Sequence, residues 1–200
     1  MSPLGRLEAI TGCMFSGKTT ELIRRLERIK LAQQKFLLFK PSIDNRYGTK
    51  EVKAHNEQGI ACFLLPPEVK EVAELIKIVG ANLFEEAGII AFDECNFFQE
   101  KFPALCESLA QDYGKRVIVA GLNLGFDGKP FHPMTEIISL ADEVDVLTAI
   151  CMKCGKEATR SQRVAKGKAV HAGPKIEVGG IGDYEARCRT CWEKPKQRIE

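Results

Sequence analysis

The run Gly12-Cys-Met-Phe-Ser-Gly-Lys18-Thr19 constrains this chain most, because it fits the spacing G-x-x-x-x-G-K-[ST]. Such a segment works as a turn that wraps backbone N–H groups around phosphate oxygens, and its glycines permit the close approach. It needs a strand before it and a helix after it, whose positive N-terminal end faces the anion. Both flanks are present. Residues 7–10 form a short strand candidate, and in 19–33 Leu22, Leu26 and Ile29 recur at i, i+4 and i+7 on one helical face. The pattern assigns the binding of ATP and its Mg²⁺ to Gly12, Ser16, Gly17, Lys18 and Thr19. Lys18 would reach the β- and γ-phosphates, and the Thr19 hydroxyl would face the magnesium.

The same alternation continues. Residues 36–39, 88–92 and 117–120 are short apolar runs of buried-strand type. Between them, 68–79 repeats Val69, Val72, Leu75 and Val79 at helical spacing, and 103–111 reads as a helix opened by Pro103. Strands alternating with helices predict an α/β fold with a parallel sheet covered on both faces. Past residue 148 the helical stripes stop, and 166–182 carries five glycines. The chain therefore divides into a nucleotide-binding domain (1–148), a small loop-rich domain (149–192) and a frayed polar tail (193–200). Basic and acidic residues number 29 and 27, a net charge of +2 that argues against a general nucleic-acid coat. The longest uncharged runs are ten residues, 58–67 and 117–126, whereas a membrane span needs about twenty. The first residues lack the basic and apolar regions of a secretory signal. A cytoplasmic protein with no membrane or nucleic-acid partner is expected.

The apolar run 88–92 ends in Asp93-Glu94. Asp93 is placed to hold the Mg²⁺ shell. Glu94, beside it, is the candidate catalytic base that takes a proton from the attacking oxygen. That oxygen belongs to water in an ATPase and to an acceptor alcohol in a kinase; the two acids do not separate the reactions. Of eight cysteines, Cys151/Cys154 and Cys188/Cys191 form two C-x-x-C pairs with 33 residues between them. Two such turns supply a Cys₄ site with no open position, hence a structural Zn²⁺. A redox role for either pair is the alternative. Cys13, Cys62, Cys95 and Cys106 read as buried small hydrophobes.

Taken together, GCMFSGKTTEL, FDECNFF, GLNLGF, LTAICMKCGKEA and GGIGDYEARCRTCW resemble the thymidine kinases of the cytosolic, zinc-containing type, in order, from residue 7 to 192. The resemblance implies a P-loop, RecA-like parallel core with a zinc-bearing lasso domain. It implies a homotetramer that transfers the γ-phosphoryl of ATP to the 5′-hydroxyl of thymidine in nucleotide salvage, with feedback by dTTP. By position it implies that Asp44 and Arg46 lie near the reacting phosphate, and that Phe97 stacks on the thymine ring. Leu122 and Phe126 would line the base pocket with Ser161. Ile176, Val178 and Gly180 would bring lasso backbone to the pyrimidine edge, with Tyr184 near the sugar. Glycine-rich lasso backbone suits such an approach.

This sequence departs from that pattern at Asn96, where the family commonly has glutamine, and at Asn123 and Gly125, where it has acids. A pocket discriminates one methyl by only about 1–3 kcal/mol, so deoxyuridine stays open as a second acceptor. Two other readings compete: a RecA-like, DNA-dependent ATPase with a zinc ribbon, and a non-catalytic nucleotide-sensing zinc protein. The first draws on Lys156, Arg160, Arg163, Lys166 and Lys168, although acids dilute that run. The second has no use for a base at Glu94.

Overall fold

Short β-branched and apolar runs pair as strands when both faces can be covered, and the first such run sets the frame. The computed structural model describes residues 5–44, 51–53, 59–171 and 182–194. Its first half runs β1 (Arg6–Gly12), α1 (Lys18–Leu31), β2 (Phe36–Pro41), β3 (Glu51–Lys53), β4 (Gly59–Ala61), β5 (Phe63–Leu65), α2 (Val72–Val79), α3 (Ala81–Glu86) and β6 (Ile89–Phe92). It continues with α4 (Phe102–Gln111), β7 (Arg116–Leu122), α5 (Met134–Leu140) and β8 (Glu143–Leu147). Five short strands follow: β9 (Ala149–Ile150), β10 (Glu157–Ala158), β11 (Arg160–Ala165), β12 (Lys168–Ala169) and β13 (Tyr184–Arg187).

The main sheet has the order β5-β2-β6-β7-β1-β8, and every pairing in it is parallel. Side-chain alternation sends Ile10, Leu38, Ala91, Ile118 and Ala120 to one face, where Leu22, Ile23, Leu26 and Ile29 of α1 cover them. Ala9, Phe39, Ile90, Phe92, Val117 and Val119 point to the other face, against α2 through α5. The α/β architecture expected from the alternating pattern is therefore present. No helix among the described residues is long and apolar enough to cross a membrane.

Some details differ from the sequence reading. The helix expected over 68–79 begins only at Val72. The Glu74 carboxylate accepts from the backbone N–H groups of Lys70 and Glu71, at 3.0 and 3.1 Å, and so caps the helix there. Val69 still enters the core, from the turn before it. The run 144–150 divides at Thr148: β8 closes the main sheet, and β9 opens the small ones. Strand β5 and helices α3 and α5 were not anticipated, since each is too short to show a full period.

Among the buried charged residues, Glu8 and Lys115 hold parts of the frame together. Glu8 of β1 accepts from Arg25 at 3.0 Å and from Arg116 at 2.7 and 3.0 Å. Arg25 also pairs with Glu21 and Asp145. The Lys115 ammonium donates to the carbonyls of Phe84 and Ala87, at 2.9 and 2.8 Å, and so closes the end of α3.

The apolar core centres on aromatic rings. Phe102 stacks on Phe98 with centroids 4.2 Å apart and meets Phe92 edge-on at 5.0 Å. Removing a fully buried ring loses its transfer energy and leaves a cavity. Phe102→Ala is expected to cost about 3–5 kcal/mol of folding stability in urea denaturation. A loss below about 1 kcal/mol would mean that the three rings are not a packed unit.

Candidate functional site

The loop between β1 and α1 takes its shape from two glycines. Gly12 has φ 149°, and a Cβ there would stand 2.2 Å from the Leu147 carbonyl oxygen, so the chain can turn against β8 only without a side chain. Gly17, at φ 82°, lets the backbone enter α1 at Lys18. Between them Phe15 holds φ 63°, which a bulky residue adopts only when its surroundings impose it. Ser16 Oγ and Lys18 Nζ both donate to the Cys13 carbonyl, at 2.9 and 2.7 Å.

Asp93 follows β6, and its N–H bonds the Phe39 carbonyl at 3.0 Å. Thr19 Oγ1 donates to the buried Asp93 carboxylate, 3.0 Å from the nearer oxygen. This bond joins the loop to the second candidate strand end across the sheet. Burial pushes the Asp93 carboxyl up to about 7, and the charges of Glu94 and Asp44 push in the same direction. The three acids thus share one corner. Oxygen donors beside mutually repelling carboxylates suit a hard divalent cation, so Thr19 and Asp93 fit Mg²⁺.

Glu94 is partly exposed and sits at φ 51°, ψ 40°, a left-handed turn that opens the short 3₁₀ segment Cys95–Phe97. Within it the Asn96 side chain is buried, and its Oδ1 accepts from the Leu122 N–H at 3.0 Å. That bond holds the Glu94–Phe97 turn against the end of β7. Phe98 belongs to the core, whereas Phe97, also buried, joins none of the three apolar clusters. Asn96 Nδ2 and Asn123 Oδ1, both beside this segment, are buried polar atoms with no hydrogen-bond partner among the described residues.

Phe126 lies on a loop closed by the Phe131 N–H to Asn123 carbonyl bond, at 2.9 Å. Its ring carries the Arg163 guanidinium 5.6 Å from the centroid. Ser161 of β11 is buried, and its Oγ accepts from the Met14 N–H at 3.0 Å. Tyr184, on β13, is buried and pairs in register with Arg163. The structure therefore brings together Thr19, Asp93, Glu94 and Asp44, joins Leu122 to the Glu94 turn, and joins Ser161 to the phosphate loop. Arg46, Ile176, Val178 and Gly180 lie outside the described residues.

The Sγ atoms of Cys151, Cys154, Cys188 and Cys191 lie within 4.8 Å of one another. Each pair sits in a tight turn: the Gly155 N–H bonds the Cys151 carbonyl at 2.8 Å, and the Cys191 N–H bonds that of Cys188 at 3.1 Å. Burial opposes ionisation of Cys151, yet backbone N–H groups of both turns hold its thiol down at about 6. Four soft sulfur donors at this spacing fit tetrahedral zinc and leave no position for a substrate.

Sequence reasoning missed what Cys13 and Met14 touch. Cys13 is buried as expected, but its neighbours are Ala149, Cys151, Ala158, Ala186 and Cys188 of the cysteine-bearing segment. No local signal carries a contact across more than 130 residues.

A family model described as thymidine kinase matches residues 5–192. Similar curated proteins carry the name thymidine kinase. One from Thermococcus kodakarensis is 50% identical over 190 residues, covering 94% of each chain. One from Chloroflexus aurantiacus is 44% identical over 193 residues, covering 94% of this chain and 95% of its own. One from Halobacterium salinarum is 40% identical over 188 residues, covering 94% and 93%.

Two outcomes are expected from this geometry. Cys188→Ser removes one of four sulfur ligands, so the purified variant should hold well under one zinc per chain by metal analysis. Full occupancy would refute the ligand assignment. The second outcome follows from Asp93. Its carboxyl is raised in the fold, so its contribution to stability is present at acid pH and is lost as pH rises toward about 7. Without magnesium and nucleotide, Asp93→Asn should gain stability relative to the parent between about pH 4 and 7 in urea denaturation. A pH-independent difference would show that the carboxyl titrates normally.

Proposed function

The chain belongs to the thymidine kinase family and has its activity, phosphorylation of the nucleoside; on that premise we propose the role of each residue in the site. The supporting observation is the Thr19–Asp93 hydrogen bond, because it sets the phosphate loop against the turn that carries Glu94. ATP binds with its triphosphate along residues 12–19, where loop N–H groups, the N-terminal end of α1 and Lys18 face the phosphate oxygens. Thr19 and Asp93 hold the magnesium. When bound, that ion offsets charge on the phosphate oxygens and fixes their position.

Thymidine binds with its ring stacked on Phe97, beside Leu122, Phe126 and Ser161, and with its 5′-hydroxyl toward Glu94. The Glu94 carboxylate accepts the hydroxyl proton as the oxygen forms a bond to the γ-phosphorus. The bond from that phosphorus to the β,γ-bridging oxygen breaks, so the products are dTMP and ADP. Such a loose transition state needs positioning and charge stabilisation more than covalent help. Asp44 and Arg46 flank the transferring phosphoryl. Residues 149–192 form a zinc-bearing module whose segment 176–180, with Tyr184, covers the nucleoside and excludes water that would otherwise hydrolyse ATP. Deoxyuridine, which lacks only the ring methyl, is proposed as a second acceptor. We further propose a cytoplasmic homotetramer under feedback by dTTP.

The competing DNA-dependent ATPase would treat the P-loop and the cysteine pairs as separable devices. One family match runs through both, so that reading is not favoured.

A phosphate-transfer assay with ATP, Mg²⁺ and a series of nucleosides tests the proposal. Nucleoside-dependent ADP release with dTMP formation supports it, and equal ATP loss without any nucleoside rejects it. Within that assay, Glu94→Gln should keep ATP and thymidine affinity while turnover falls by about 10²-fold or more. Turnover near that of the parent would remove Glu94 from proton transfer.

A further inference from the structure

A phosphate loop binds well only if its backbone is already in shape, because ordering it on binding costs affinity. In this chain three consecutive loop residues are gripped by the cysteine-bearing module. Cys13 donates its Sγ–H to the Ala158 carbonyl at 3.3 Å, and its side chain sits among Ala149, Cys151, Ala158, Ala186 and Cys188. The Met14 N–H is held by Ser161 Oγ at 3.0 Å. Phe15, at φ 63°, packs on the same apolar cluster, as does Cys191. The Cys13 carbonyl is also the acceptor for both Ser16 and Lys18. A displacement of Cys13 therefore moves the anchor of the lysine that faces the triphosphate.

The grip reaches the sulfur cluster by a short path. Gly12 pairs in register with Leu147 at the end of β8, and the chain then enters β9 and arrives at Cys151. On the other side, Ala186 of β13 accepts from the Met152 N–H at 2.9 Å, two residues before Cys188. Two of the four sulfur ligands, Cys151 and Cys188, are themselves walls of the cluster around Cys13.

We infer that the zinc-bearing module is a clamp on the phosphate loop, with Ser161 as its positioning residue, so that metal retention and nucleotide binding are coupled. This rests on the proposed function, and it gives Ser161 a role toward the phosphates in addition to the base. Coupling between two sites is reciprocal. If the module shapes the loop, a nucleotide that selects the shaped loop must tighten binding of the metal by the same factor. The effect requires no thymidine, which separates it from closure over the nucleoside.

The test uses the zinc-loaded enzyme, with zinc partitioned at equilibrium against a graded concentration of chromogenic chelator and read by absorbance. Samples contain either no nucleotide or saturating ADP with Mg²⁺, and ADP binding is measured by calorimetry on the same protein. ADP should tighten zinc binding by about 5–10-fold. Ser161→Ala should keep one zinc per chain, weaken ADP binding by about 5-fold and reduce the effect of ADP on zinc affinity below about 2-fold. Ser161→Thr retains the hydroxyl and should restore both. Cys13→Ala repeats the test through the apolar contact, should Ser161→Ala fail to fold. Equal zinc affinity with and without bound ADP would overturn the coupling and leave the kinase reading intact. Failure of ADP to bind the parent would overturn both.

Discussion

Strand β1 lies between two parallel neighbours, β7 and β8, and is covered on both faces. Its register with each fixes where the backbone must turn. At Gly12 the strand ends against Leu147, and no side chain fits there. The phosphate loop therefore starts at a point set by the sheet rather than by the loop itself. Because β7 also pairs with β6, the same register places Asp93 and Glu94 at the same end of the sheet. Ligand sites of open parallel sheets fall at the carboxyl ends of strands for this reason.

The corner made by Thr19, Asp44, Asp93 and Glu94 is electrostatically unfavourable when left to protein atoms alone. A buried carboxyl beside two others gives up part of its acidity. Folding keeps it there because the surrounding strands are held by apolar burial that does not depend on it. A cation and a polyanion arriving together relieve the repulsion. The asymmetry makes the site better suited to its charged ligands than to solvent.

Much of this was legible in the order of residues. The phosphate loop, its flanking strand and helix, the Asp93-Glu94 end and the four paired cysteines all depend on spacing within a few residues, where periodicity and turn chemistry act. The elements that escaped notice were short, such as β5 and α5, or were decided by distant contacts. Cys13 illustrates the second kind. Its burial follows from being a small thiol, but its neighbours belong to a segment that only the completed fold brings near. The partners of Asn96 are similar: an amide in a short turn gives no sign that the Leu122 N–H will need it. Val69 shows the converse, since its helical spacing was real but Glu74 capped the helix three residues later.

Glu8 stands on β1 at the end of the sheet away from the phosphate loop, an acid among apolar neighbours. It is tolerated because Arg25 and Arg116, from a helix and an adjacent strand, both bond it. Losing either arginine would leave that buried charge poorly compensated out of water, whereas an uncharged residue at position 8 would still leave Arg25 paired with Glu21 and Asp145. The acid therefore depends on its two partners more than they depend on it. The trio rivets a helix and two neighbouring strands together at the end of the sheet opposite the ligands, so it braces the frame without taking any part in the chemistry.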